Sequence, residues 1–213
     1  MIVPAMNSKE LFTEIFSDFK IVERKAIHLG SKLRREAIKS KTKSVHRVYD
    51  YRSKQYNNWI IVIDRYVSEL SLSTVVFYLD KFGLNGMRVN ADRKSLTHFP
   101  PHFLERYNER FLDKINSSKT ELLKRFVRMN PLEVIMSIPD EETNQCRIFG
   151  RFNEGVGLGY EEPIDDFGGK IYHFKTFISN DMIKDSQEDV FNYVREQYDI
   201  FRIEESKRSR RRA

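Results

Sequence analysis

The chain has almost no cysteine, since Cys146 is the single one among its 213 residues. One cysteine cannot form an internal disulfide, which excludes the disulfide-stapled scaffolds of small secreted proteins. No apolar run approaches the ~18 residues of a transmembrane helix. The first residues also lack the basic start of a signal peptide. These absences predict a cytoplasmic protein without a membrane partner, in which Cys146 packs within or beside a strand.

Glycine and proline are also scarce, with 9 and 6 residues, and no stretch rich in glycine, proline and serine divides the chain. Hydrophobic residues make up 40% of the sequence and aromatic residues 13%, which is enough for a packed core. We therefore predict a helical N-terminal segment at 1–44, one α+β domain at 45–203, and a basic, disordered tail at 204–213.

Positive charge is in excess but unevenly placed. The net charge is +6 and the isoelectric point is near 9.3. One basic segment runs from 24 to 43 and a second from 207 to 212, whereas the stretch 140–166 is acidic. A basic helix and a basic tail are compatible with RNA or another nucleic acid as partner. The alternative is a solvated helix face and a solubilising tail. The residues predicted to contact nucleic acid are Arg34, Arg35 and Lys39.

Hydrophobic periodicity predicts the elements. Ser8 is predicted to cap the first helix, and Gly30 is expected to break or bend this region into two helices. From 45 onward, alternation with a period of two indicates strands. The predicted strands are 45–51, 59–63, 74–79, 87–90, 134–138, 146–152, 156–160 and 171–178. The later predicted helices are 100–116, 119–129 and one that begins at Asn180. This order predicts an α+β fold, with N-terminal helices followed by an antiparallel sheet and packed helices.

The helix predicted at 100–116 has two contrasting sides on a helical wheel. Pro100 and Pro101 suit a helix start, where the missing N–H has no cost. The first turn lies in the positive field of the helix N-terminus, which favours anions. The side predicted to face the core consists of Phe103, Leu104, Tyr107, Phe111 and Ile115. The polar side consists of His102, Glu105, Arg106, Glu109 and Asp113.

No motif for a metal or a cofactor is convincing. His98 and His102 have the spacing of two zinc ligands on a helix, but two prolines intervene, which places His98 in the preceding loop. The glycines at 155–159 fit a hairpin better than a phosphate-binding loop, because no Lys-Ser/Thr pair follows them. No serine or cysteine nucleophile motif is present. We therefore expect no metal and no cofactor.

Acid–base chemistry without a metal is the remaining catalytic hypothesis. RNA cleavage needs a base, an acid and cations near the phosphate. Histidine suits both proton roles, and arginine binds phosphate with two donors. The predicted catalytic residues are His102, Arg106 and Lys175. The predicted substrate contacts are Glu105, Arg110, His173, Thr176 and Ser179. The alternative is a solvated helix face and a half-exposed strand.

The order of a His-x-x-Glu-Arg helix at 102–106, a hairpin around 146–160 and a Lys-Thr-Phe strand at 175–179 resembles the barnase–EndoU–colicin–RelE group of nucleases. The resemblance covers roughly 98–180. It implies a helical segment before a four-stranded antiparallel sheet, and RNA cleavage without metal. It also implies that His102 is the acid or base, that Arg106 clamps phosphate, and that Lys175 and Thr176 contact the phosphate or transition state.

Two other classes remain open. The chain is alternatively a non-catalytic module that binds nucleic acid or a protein partner through its basic helix and tail. A third possibility is a structural accessory protein of a phage or mobile element, without any site.

Overall fold

The computed structural model describes residues 1–66, 69–131, 133–140, 145–165 and 168–182, followed by 192, 193, 196, 199 and 200. In this part of the chain, one long helix precedes five strands, two helices and four further strands. The α+β class with a helix before the sheet is therefore confirmed. None of the helices described is long and apolar enough to cross a membrane. The predicted basic tail at 204–213 lies outside the described residues.

The first helix, α1 (Ser8–Ser40), is a single element of 33 residues. Its N-cap is Asn7, which accepts a hydrogen bond from the Glu10 backbone in a capping box. Ser8 is therefore the first helical residue, and its prediction as the cap is wrong by one position. The predicted break at Gly30 is wrong. A Cβ at this position would lie 2.6 Å from Leu70 Cδ1. The glycine therefore permits close packing of the helix on the sheet and does not end the helix.

The strands form one nine-stranded sheet in the order β1-β2-β3-β4-β5-β9-β8-β7-β6. The first meander comprises β1 (Ser44–Arg52), β2 (Asn58–Tyr66), β3 (Leu70–Asp80), β4 (Gly83–Val89) and β5 (Ser95–Phe99). The second comprises β6 (Val134–Asp140), β7 (Gln145–Arg151), β8 (Val156–Pro163) and β9 (Lys170–Ile178). The sheet is antiparallel except where β5 pairs with β9 in parallel. This parallel pair joins the two meanders.

The helices cover opposite faces of the sheet. The face under α1 is built by apolar side chains of β1–β5 and β9, including Trp59, Ile61, Val76, Met87, Leu96 and Ile171. The other face lies under α2 (Pro101–Phe111) and α3 (Lys119–Met129). Its core contains Ile60, Val75, Phe99, Phe103, Tyr107, Phe126, Phe152, Phe174 and Phe177. Each face thus has its own hydrophobic core.

The stripe predicted on the helix at 100–116 is confirmed only in its first half. Phe103, Leu104 and Tyr107 are buried. Phe111 and Ile115 are 36% and 42% exposed, so placing them in the core was wrong. The helix ends at Phe111, and positive φ angles at 113 and 114 turn the chain away from the core. Phe111 still stacks on the Tyr107 ring at 5.7 Å.

Two further predictions need correction. The fourth strand, predicted at 87–90, starts earlier, because the turn before it is confined to Lys81 and Phe82 and β4 begins at Gly83 with φ +134°. His98 was placed in a loop, whereas it lies in β5 and pairs with Met87. This strand has only five residues between a turn and Pro100, too few for its alternation to be recognised.

The helix predicted from Asn180 starts as a 3-10 turn, Asn180–Met182, and its continuation lies largely outside the described residues.

Candidate nucleic-acid interface

The solvent-facing side of α1 carries cations and no carboxylate between residues 20 and 39. On a 100° wheel, the arc opposite the buried residues contains Lys20, Arg24, Lys32, Arg35 and Lys39, with His28 among them, and Lys25 lies at the edge of this arc beside β1; all are exposed. We call these six cations the basic stripe. At 1.5 Å per residue the stripe is about 28 Å long. Of the predicted nucleic-acid contacts, Arg35 and Lys39 belong to it.

Arg34, the third predicted contact, lies on the flank of the helix. It is exposed. Burial, followed by the positive charge of Arg34, lowers the pKa of Arg65 in β2. Arg34 therefore extends the positive surface of the stripe toward β2.

The basic stripe is not neutralised by the described part of the protein. None of its six cations forms an ion pair with a described residue. The two carboxylates of this half of the helix bind elsewhere, Glu23 to Arg93 and Glu36 to Arg47. Like charges four residues apart destabilise a helix by about 0.2–0.5 kcal/mol per pair, and the helix dipole offsets this only near the C-terminus. A bound polyanion would remove the repulsion.

The polar side of α2 has the opposite character, because its cations are paired. Arg106 donates to Glu109 at 2.7 Å and to His102 Nε2 at 3.4 Å. Glu105 lies 4.0 Å from His102 and 3.4 Å from Lys119. The structure therefore brings His102, Glu105 and Arg106 together as predicted from their spacing, but in a chain of surface ion pairs, each worth little to stability.

Arg110 links α2 to β9. Its guanidinium donates to Thr176 Oγ1 at 3.2 Å and to the Phe177 carbonyl at 2.8 Å. Two of the predicted substrate contacts, Arg110 and Thr176, are thus in direct contact with each other. Ser179, another predicted contact, is buried just after the strand. These contacts fix the helix on the sheet.

Lys175 is separated from the other predicted catalytic residues. It occupies an irregularity in β9, where the pairing with β8 shifts, and its ammonium lies 5.0 Å from the centre of the Tyr160 ring. Tyr160 stacks on His173 at 4.8 Å, and His173 lies on the α1 face of the sheet. The structure therefore does not bring Lys175 into one cluster with His102 and Arg106, which lie on the other side.

A chain of partly buried hydrogen bonds lies on the α1 face of the sheet, near the start of α1. His98 Nδ1 and His173 Nδ1 are 2.9 Å apart, and His173 Nε2 is 2.8 Å from Glu162 Oε2. Ser8, in the first turn of α1, donates to the same carboxylate at 2.9 Å. The chain thus ties the start of α1 to β8. His173 was predicted as a candidate from the sequence, but its contact with His98 was not, since that pairing depends on the parallel contact between β5 and β9.

The two ends of this chain of hydrogen bonds are Asn85 and Glu162. The Asn85 amide nitrogen donates to the Gly83 carbonyl, so its oxygen accepts from His98 Nε2 at 2.9 Å. His98 Nδ1 and His173 Nδ1 share one proton, and His173 Nε2 shares another with Glu162, in roles that depend on the histidine tautomers. Burial, followed by the charge of His173, lowers the pKa of His98 to about 3. Burial also lowers the pKa of His173, against the opposing effect of Glu162.

A cavity of about 370 Å³ opens where the β1–β2 and β3–β4 turns meet the start of α3. We call it the turn-end cavity. Its lining includes Arg52, Tyr56, Phe77, Leu79, Leu84 and Lys119. Arg52 and Lys119 are the charged side chains of this lining within the described residues. Lys119 also pairs with Glu105, so the cavity lies next to the His102 side of α2.

The described residues contain no group of three metal-ligating side chains that could hold a metal ion. Comparison with protein-family models, with curated proteins and with solved structures finds no match to this chain. The resemblance to the nuclease group is therefore carried by the short residue pattern alone.

Proposed function

We propose that the protein binds nucleic acid through the basic stripe of α1. The observation that supports this best is that five exposed cations share one helix face, with Lys25 at its edge, and none of the six forms an ion pair with a described residue. Phosphate is the polyanion that such an array fits, because neutralised phosphates release counterions and so drive binding. Glu23 and Glu36, the carboxylates that could compete, are held by arginines outside the stripe.

The test compares two triple variants of equal net charge. In one, Lys32, Arg35 and Lys39 of the stripe are changed to Gln. In the matched control, Lys124, Arg147 and Lys170, which are paired with carboxylates away from α1, are changed to Gln. Affinity for a labelled duplex is measured by fluorescence anisotropy between 50 and 300 mM salt.

We expect the stripe variant to lose affinity and to reduce the slope of log K against log salt by up to about 3, since each lost contact contributes about 0.9 for duplex DNA. The control should keep the wild-type slope. Equal losses in both variants would mean that net charge, and not the stripe, causes binding.

A second candidate function is RNA cleavage without metal at His102. It is supported by the ion-pair chain from His102 through Glu105 to Lys119, which lines the turn-end cavity. In this proposal His102 transfers the proton of a 2′-hydroxyl or leaving oxygen, and Arg106 with Arg110 offsets phosphate charge. Lys175 belongs to this proposal only if bound RNA reaches around the sheet.

The assay for this second function measures cleavage of a labelled RNA in the presence of EDTA. His102→Ala should reduce the rate by at least about 10²-fold, the usual contribution of an acid or base, without a change in melting temperature. His46→Ala is the control, because His46 is also exposed and also bound to a carboxylate, Asp64. Absence of cleavage by the wild-type protein would eliminate this candidate and leave the binding proposal intact.

A further inference from the structure

Tyr56, at the rim of the turn-end cavity, is an aromatic residue in an unfavourable position. It is 63% exposed and its φ is +62°, in the left-handed region where a bulky side chain is strained. Glycine or asparagine would adopt this turn more easily. Because both the strain and the exposed ring oppose folding, the residue is suited to a role in binding.

Cations lie over the exposed aromatic rings at this end of the sheet. The Arg52 guanidinium is 5.2 Å from the centre of the Tyr56 ring, and the Lys81 ammonium is 4.9 Å from that of Phe82. Phe82 is 72% exposed and the neighbouring Leu79 67%. Aromatic rings interleaved with cations are typical of surfaces that bind single-stranded nucleic acid, in which bases stack on rings and phosphates meet positive charge.

The turn-end cavity lies close to the start of the basic stripe. Gln55, next to Tyr56 in the turn, donates to Ser17 at 3.5 Å, and Ser17 is one helical turn before Lys20. Farther along the helix, Lys25 lies 6.0 Å from the ring centre of Tyr51 in β1. A strand bound along α1 can therefore continue over the β1–β2 turn to the cavity.

We propose that the turn-end cavity binds an unpaired base, stacked on Tyr56, of a nucleic acid strand held by the basic stripe. This inference rests on the proposed binding function and specifies its ligand as single-stranded. The charged side chains of the cavity are both cations, which fits a nucleotide with its phosphates. An acidic peptide would satisfy the charges, but it would not need the exposed rings.

The experiment replaces Tyr56 by asparagine, which suits the left-handed turn. The matched control is Tyr66→Asn, because Tyr66 is also exposed but lies at the other end of β2. Affinities are measured for a labelled 12-nucleotide single-stranded RNA, the 12-base-pair RNA duplex and a decamer of glutamate. Melting temperatures are measured for every variant.

We expect Tyr56→Asn to weaken single-strand binding by about 5- to 150-fold, the range for loss of one stacked base. The melting temperature of this variant should equal or exceed that of the wild type, because asparagine suits the left-handed turn. If the tyrosine only stabilised the fold, the melting temperature would fall. Binding to the duplex should not change, and Tyr66→Asn should resemble the wild-type protein.

Three outcomes would overturn the inference. If Tyr56→Asn binds the single strand as tightly as wild type while the stripe variant fails to bind, the strand uses α1 but not the cavity. If the glutamate decamer binds as tightly as RNA and depends equally on Tyr56, the cavity is a site for an acidic peptide. If the wild-type protein binds neither RNA, the proposed function fails as well.

Discussion

The exposed sides of α1 and α2 contain similar residue types but differ in what those residues contact. On α2, Arg106 is bound to Glu109 and Arg110 to β9. On α1, the six cations of the basic stripe form no ion pair with a described residue. A helical spacing of cations therefore does not by itself indicate a site. The useful distinction is whether neighbouring elements have already satisfied the charges.

The same two helices differ in how they are held. α1 packs along a sheet face of its own, and its first turn is joined to β8 through Ser8 and Glu162. α2 is held by a cluster of aromatic rings beneath it and by Arg110. This difference leads to separate expectations for stability.

The largest effect is expected beneath α2. Phe103→Ala should destabilise the protein by about 3–5 kcal/mol, because the side chain is fully buried among other rings. Phe111→Ala should cost less than about 1 kcal/mol, since the ring is partly exposed and contacts mainly Tyr107 and Phe177. Denaturant titration of the two variants measures the difference. Similar losses would contradict the early end of α2 that the structure shows.

A pH dependence of stability, of intermediate size, should come from the hydrogen bonds that join His98 and His173 to Glu162 and so to the start of α1. The pKa of His98 falls from an ordinary value of 6.5 to about 3 in the folded protein. The unfolded chain therefore binds an extra proton in this range, and stability is full above pH 6.5 and is lost as the pH falls toward 3. The loss between pH 7.5 and pH 5 should be about 2 kcal/mol.

Denaturant titrations at both pH values check this expectation. His98→Gln should remove most of the loss of unfolding free energy between pH 7.5 and pH 5, whatever the substitution does to stability at pH 7.5. His46→Gln, which changes an exposed histidine, should leave the loss in place. A wild-type stability that does not change over this range would show that His98 is protonated in the folded state.

The smallest effect is expected on the paired side of α2. Arg106→Gln removes one surface ion pair and should change the unfolding free energy by less than about 0.5 kcal/mol. If α1 is the binding surface, the same variant should leave nucleic acid affinity within a factor of two of wild type, about the error of such titrations. Arg35→Gln, in the basic stripe, is the comparison. If Arg106→Gln lost as much nucleic acid affinity as Arg35→Gln, the two helix faces would not differ in binding.

Local patterns predicted most of the fold, because alternation and helical periodicity depend on neighbours in sequence. The β1–β2 and β7–β8 hairpins and α3 follow from such patterns. The parallel contact between β5 and β9 does not, since it joins residues such as His98 and His173 that are 75 positions apart. Gly30 was misinterpreted for the same reason, because Leu70, the residue that requires a glycine there, comes from another element.

The candidate site was predictable to a smaller extent. The basic segment of α1 was recognisable from charge alone, and His102 and Arg106 are neighbours as their spacing predicted. Two features of the site depend on packing between elements and were not predictable. The cations of the polar side of α2 are paired, and Lys175 lies beside Tyr160. Tyr56 gave no signal in sequence, because its strained φ and exposure appear only in the folded turn.

The most direct measurement of the central proposal is lysine acetylation, followed by mass spectrometry, in the presence and absence of saturating nucleic acid. Binding along α1 should slow acetylation of Lys20, Lys25, Lys32 and Lys39 several-fold. Lys9 and Lys94, which are exposed outside the stripe, should react at unchanged rates. Protection of Lys175 without protection of the four stripe lysines would contradict the account and place the nucleic acid on β9 instead.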